Sequence, residues 1–140
     1  MSKQILQLNP WIVGWGKRDV CATGSGDVLR EVTQTIVSDS TCRRASGNIR
    51  YLDIRDGRCK SNFANYRNQI SDDMLCAGGV AGQGSCNGDS GGPFTVKEGA
   101  KHKLAGVVSW GYGCASVSGS RFELSLYLLV LCAGFVWCLQ

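Results

Sequence analysis

Between Val28 and Val37 the chain reads Val-Leu-Arg-Glu-Val-Thr-Gln-Thr-Ile-Val. Its many β-branched side chains and partial apolar–polar alternation predict a half-buried strand. Phe94–Lys97 and Lys103–Trp110 predict two more strands, joined by the polar Glu98–His102 turn into a hairpin. Asp39 or Ser40 is placed to cap a short helix running through Cys42, Arg43 and Arg44. The 19 glycines suggest many tight turns, and the whole pattern fits an all-β fold.

Residues 43–70 break this rhythm. The stretch is polar, with seven basic residues (Arg43, Arg44, Arg50, Arg55, Arg58, Lys60, Arg67) against Asp53 and Asp56. It reads as a solvated loop more basic than the whole chain, whose formal net charge is +4. An acidic partner or substrate fits that charge, whereas no nucleic-acid-reading motif accompanies it. At 140 residues, 44% hydrophobic and 19% charged, the chain is ordinary globular material for one modest core.

Eight cysteines in so short a chain argue for an oxidising compartment. With no C-x-x-C pair and one histidine, zinc and thioredoxin-like chemistry are poorly supported, and the reading expects no metal and no cofactor.

The chemistry is concentrated at Gly84-Ser-Cys-Asn-Gly-Asp-Ser-Gly-Gly-Pro93. Ser90 sits between Gly88-Asp89 and Gly91-Gly92, on backbone with almost no side-chain cover. Its hydroxyl can approach a substrate while nearby amide N–H groups converge on one oxygen, which is what a nucleophilic serine needs. Eighteen residues on comes Val108-Ser-Trp-Gly-Tyr-Gly-Cys114. Together with Trp11-Ile-Val-Gly-Trp-Gly16, Ser40-Thr-Cys42 and Met74-Leu-Cys-Ala-Gly78, these segments resemble the trypsin/chymotrypsin-fold serine endopeptidases over about three quarters of the chain.

The resemblance implies the second half of a two-barrel fold: an antiparallel Greek-key barrel over residues 11–116, with 43–70 as an inserted polar loop, incomplete at both ends, behind a 1–10 leader of no clear structure. It implies Ser90 as nucleophile, the backbone N–H groups of Gly88 and Ser90 as oxyanion hole, and Asp89 as the partner of an α-amino group freed by zymogen cleavage. Ser109, Trp110 and Gly111 would pair with an extended substrate, and Gly111 and Gly113 would leave the specificity pocket open, with Gly84 at its floor. A carboxylate for Lys or Arg side chains is therefore missing from that floor, so side-chain preference stays open. It further implies the disulfides Cys42–Cys76 and Cys86–Cys114; Cys21 and Cys59 remain for an extra pair between two loops, and Cys132 and Cys138 fall in the tail.

The triad His and Asp would come from a missing N-terminal barrel, because no histidine precedes Ser90 and His102, flanked by Lys101 and Lys103, reads as a solvated turn residue. The implied function is proteolysis of a protein or peptide through an acyl-enzyme. The alternative is a non-catalytic binding module or an inactive truncated product. The implied location is extracellular, although Met1–Pro10 has no signal-like apolar run, so the reading expects an internal start, a partial gene model or a fragment.

After Cys114-Ala115 the sequence departs from the family and ends in an atypical apolar tail, 117–140. Leu124–Leu139 carries no charge, yet as a helix it would reach about 24 Å against a hydrocarbon core of about 30 Å. A membrane anchor rests on that segment alone. Phe122, Leu124, Leu126 and Leu128 alternate with Glu123, Ser125 and Tyr127, which also suits a makeshift strand. The favoured reading gives the tail no role in completing the barrel.

Overall fold

A computed structural model describes residues 10–24, 26–44, 49–64, 66, 68–78, 82–114 and 127–131. In chain order the elements are β1 (Trp11–Gly14), β2 (Arg30–Thr33), β3 (Thr35–Val37), α1 (Asp39–Arg44), β4 (Ile49–Arg55), β5 (Arg58–Ala64), β6 (Met74–Gly78), β7 (Pro93–Glu98), β8 (Lys101–Gly111) and β9 (Tyr127–Leu131). Among the described residues seven strands form one antiparallel sheet in the order β2-β1-β7-β8-β9-β6-β3, while β4 and β5 pair only with each other.

The two edge strands, β2 and β3, are consecutive in the chain and separated only by Gln34. The sheet therefore curls into an all-β barrel whose hydrogen-bond ladder does not close. Gln34 turns this corner with its N–H donated to the Pro10 carbonyl at 2.8 Å. That is why the strand expected over 28–37 is found as two.

Ile12, Ile36, Leu75, Ala77, Phe94 and Val108, from β1, β3, β6, β7 and β8, meet inside the barrel. Alternation on β6 sends Leu75 and Ala77 inward and Met74 and Cys76 to the opposite face. There Cys76 joins Cys42, Tyr66 and Ile70 in a second buried cluster. The Cys42–Cys76 disulfide, Cα–Cα 6.3 Å, fixes α1 to β6 at this point. The cap of α1 is neither Asp39 nor Ser40 but Ser38, whose Oγ accepts from the Thr41 N–H at 3.3 Å, while its carbonyl accepts from Thr41 and Cys42.

Three further differences from the sequence reading have local causes. The hairpin β7–β8 turns at Gly99-Ala100, with Gly99 at φ 61°, so His102 lies within β8 opposite Lys97 and not in the turn. Within the stretch read as a polar loop, β4 and β5 form a regular ribbon. Its turn is Asp56-Gly57, both at positive φ (52° and 69°), the conformation a type I′ hairpin requires. In the tail, β9 lies between β8 and β6 and pairs with both, so this part of the chain does supply a barrel strand. Cys132 and Cys138 lie outside the described residues, as do 1–9. Among the described residues no helix is long and apolar enough to cross a membrane.

Candidate active site

The segment between β6 and β7 that carries Ser90 is held by its own backbone and by β8. Asp89 N–H donates to the Cys86 carbonyl (3.0 Å) and Gly92 N–H to the Asp89 carbonyl (2.9 Å), which folds the chain tightly around Ser90. Gly91, at φ 81°, donates to the Val108 carbonyl (2.8 Å), and Val108 N–H donates back to Gly92 (2.9 Å). A side chain at Gly92 would run into the Asp89 and Val13 carbonyls. Glycine here is a consequence of close approach.

Ser90 is exposed, and its Oγ donates to the Ser109 carbonyl at 3.5 Å. Ser109 is the extra residue of a bulge, since Val108 faces Leu129 and Trp110 faces Leu128 on β9. Bulges re-aim the backbone. This one leaves Ser109 outside the β8–β9 ladder.

Asp89 is clamped from two directions. Its Oδ1 accepts from the Gly16 N–H at 2.7 Å and its Oδ2 from the Cys86 N–H at 2.9 Å. A methyl added at Gly14 or Gly16 would overlap the Asp89 carboxylate, and one at Gly88 (φ 101°) would lie 3.2 Å from Gly16 Cα. Lys17 N–H donates to the Asn87 carbonyl (2.9 Å), extending the same contact. The glycines of Trp11–Gly16 thus exist to admit a carboxylate 73 residues away.

Two cavities flank this clamp. One of about 370 Å³ is lined by Ser85–Gly88, Ser90, Val108–Gly111 and Gly113. Its two walls are tied by Cys86–Cys114, Cα–Cα 4.7 Å. Ser85 is 1% exposed and its Oγ has no partner among the described residues, so a buried hydroxyl is left for whatever fills the cavity. The other, about 550 Å³, is lined by residues including Gly14, Gly16, Arg18, Arg30, Gly84 and Asp89.

Ser90, Gly88, Ser109, Trp110, Gly111 and Gly113 therefore come together on the smaller cavity, whereas Gly84 lines the larger one with Asp89. Sequence reasoning missed Ser85, Asn87 and Tyr66. Ser85 had a signal, being a polar residue inside the glycine-rich segment. Tyr66 had none, since it lay in the unreadable stretch; it is fully buried, stacks near Trp110 (5.6 Å) and Tyr112 (5.0 Å), and accepts from the Tyr112 N–H at 3.0 Å. His102 sits exposed, with Nδ1 3.3 Å from Thr95 Oγ1 and its ring edge-on to Trp11. Seven residues of strand, roughly 23 Å, separate it from Ser109.

A family profile described as Trypsin matches residues 4–123. Trypsin-1 of Astacus astacus is 38% identical over 108 residues, covering 76% of this chain and 37% of that protein. Serine protease 1 of Canis lupus familiaris is 38% identical over 105 residues, 74% of this chain and 33% of that protein. Inactive CLIP domain-containing serine protease A3 of Aedes aegypti is 30% identical over 120 residues, 84% of this chain and 23% of that protein. The chain spans 23% to 37% of the length of these three relatives.

Proposed function

The chain belongs to the trypsin family, and we propose that it is the C-terminal barrel of a serine endopeptidase in which Ser90 is the nucleophile. The observation that carries this reading is the position of Ser90: exposed, on a turn sewn to β8, at the mouth of a cavity walled by Ser109–Gly111. Ser90 Oγ attacks the scissile carbonyl carbon as its proton passes to an imidazole supplied, with the triad Asp, by an N-terminal barrel. The carbonyl oxygen takes up negative charge, stabilised by the N–H groups of Gly88 and Ser90. The proton then goes to the leaving amine, and water cleaves the acyl-enzyme by the same route in reverse.

Ser109, Trp110 and Gly111 take the substrate backbone, and Gly113 leaves the pocket open to a side chain. With the Ser85 hydroxyl, which has no partner among the described residues, that pocket offers a neutral hydrogen-bonding wall. Asp89 receives the ammonium of a cleaved N-terminus, for which the cavity of about 550 Å³ beside it provides room. The three disulfides among the described residues support an extracellular setting.

The test is fluorophosphonate labelling of the full-length, activated protein. Label on Ser90, lost in Ser90→Ala, is expected; no label on an activated, folded protein would rule the reading out. A second reading, a protease-like module without catalysis, is favoured by one observation: the Aedes aegypti relative is itself named inactive.

A further inference from the structure

The three disulfides among the described residues differ in cover. Cys42 and Cys76 are 0% exposed and Cys86 and Cys114 8%, whereas Cys59 is exposed and Cys21 half-buried. Cys59 lies on β5 opposite Ile54, and by the observed register Leu52 and Phe63 share its face of the ribbon. These three apolar side chains are 36% to 62% exposed, so the face that carries the bridge lies open. Arg58 and Lys60, both exposed, flank Cys59. Thiol–disulfide exchange requires access for an attacking thiolate, and adjacent cations favour thiolate over thiol. Of the three bridges, Cys21–Cys59 is the one open to a reductant in water.

What this bridge holds leads to the candidate active site. The β4–β5 ribbon pairs with no other strand among the described residues. Its root is set by Tyr66, buried against Trp110 and Tyr112. Its tip is tethered through Cys59 to Cys21, Cα–Cα 5.5 Å. Cys21 ends the short segment 16–21, which meets the Ser90 segment at three points. Gly16 N–H donates to Asp89 and Lys17 N–H to the Asn87 carbonyl, while Val20 is buried with Cys86 and Cys114 in a cluster against which Cys21 packs. The segment's own side-chain hydrogen bonds are local: Cys21 N–H donates to Asp19 Oδ1 (2.9 Å) and Lys17 Nζ to the Ala22 carbonyl (3.3 Å). Its far end is therefore anchored covalently, by Cys59.

We infer that Cys21–Cys59 is a redox latch. A dithiol reductant opens it while the other two bridges stay closed, and the freed segment 16–21 loosens its hold on Asp89 and Asn87, which lowers the reactivity of Ser90. The inference rests on the reading of Ser90 as nucleophile. One thiolate of the dithiol attacks Cys59 Sγ, forming a mixed disulfide and expelling Cys21 as a thiolate that takes up a proton. The second thiolate of the dithiol then attacks the reductant's own sulfur in that mixed disulfide and expels Cys59, which is protonated in turn. The protein gains two electrons and two protons, and the dithiol becomes a disulfide.

The experiment uses the full-length, activated protein without denaturant. Free thiols are blocked, dithiothreitol is added in steps, and newly formed thiols are alkylated and mapped by mass spectrometry. Cys21 and Cys59 should react before Cys42, Cys76, Cys86 or Cys114. At that stage fluorophosphonate labelling of Ser90 should slow about 10-fold, since misplacing reacting groups is costly, and should recover on reoxidation with glutathione disulfide. Amide exchange at Lys17 and Asp89 should accelerate together with it. Cys21→Ser/Cys59→Ser should match the reduced protein and ignore dithiothreitol; if that variant folds poorly, stepwise reduction of the unaltered chain carries the test. Simultaneous reduction of all three bridges overturns the inference, as does an unchanged labelling rate with Cys21 and Cys59 reduced. Absence of label on the oxidised, folded protein would instead defeat the Ser90 reading. The latch would then be judged by the mapping and by exchange at Lys17 and Asp89, where unchanged exchange overturns it.

Discussion

At Gly16 the absence of one methyl decides the position of a carboxylate. The Gly16 N–H and the Cys86 N–H hold both oxygens of Asp89, and Asp89 adjoins the serine whose exposure defines the site. Gly16→Ala should force Asp89 out of this clamp. A loss of about 1–3 kcal/mol is expected in urea unfolding, since overpacking without room to relax costs that much. A wild-type midpoint would show that the segment yields. Gln34 presents the opposite case. It is 2% exposed, its Nε2 donates to the Thr33 carbonyl at 2.9 Å, and its Oε1 has no partner among the described residues. A buried acceptor left unpaired is costlier than an apolar group of the same shape, so Gln34→Leu should raise stability by about 1 kcal/mol. Lower stability in the same denaturation assay would mean that the amide is satisfied.

At the scale of elements, legibility followed local chemistry. The hairpin β7–β8 and most of β2–β3 lay where β-branched runs put them, and α1 lay in its expected place although its cap is Ser38 and not the residues that pointed to it. The ribbon was missed although Asp56-Gly57 is the dipeptide that a two-residue hairpin turn prefers. Its flanks disguised it: Arg55, Arg58 and Lys60 make the segment look solvated, and the apolar face is only half covered. Strand β9 was obscured for another reason. An unbroken apolar run such as Tyr127–Leu131 does not distinguish strand from helix. At the site, Ser90 and its flanking glycines were legible because they form one contiguous string, whereas the Gly16–Asp89 contact spans 73 residues and no pattern in the chain announces it. Replacing Cys21 and Cys59 by serine should free the ribbon tip. Amide hydrogen exchange should then accelerate over residues 52–63 and stay slow in β7 and β8; protection unchanged in the ribbon would show that the bridge is not what orders it.

For the molecule as a whole, β9 carries more than its length suggests. It joins β8 to β6, which have no direct pairing in the sheet order. Ending the chain at residue 126 should therefore open the barrel along two edges at once, and edges invite association. Soluble yield of the shortened chain should fall, with aggregates on size exclusion; equal or better yield would show that β9 is dispensable.

The corner at Gln34 has a kinetic side as well. The eight residues from Arg30 to Val37 meet β1 on one side and β6 on the other, while β1 itself must find β7, with Ile12 opposite Phe94. Few of these ladders connect neighbours in the chain, so the loop-closure entropy of most must be met before the interior gains its apolar contacts. Such a topology belongs among the slow folders, milliseconds to seconds, and not among those driven by local helices. Until β1 docks, the Arg30–Val37 segment has an unsatisfied side wherever it settles, and the interval before that docking is when the chain is most open to pairing with another copy of itself.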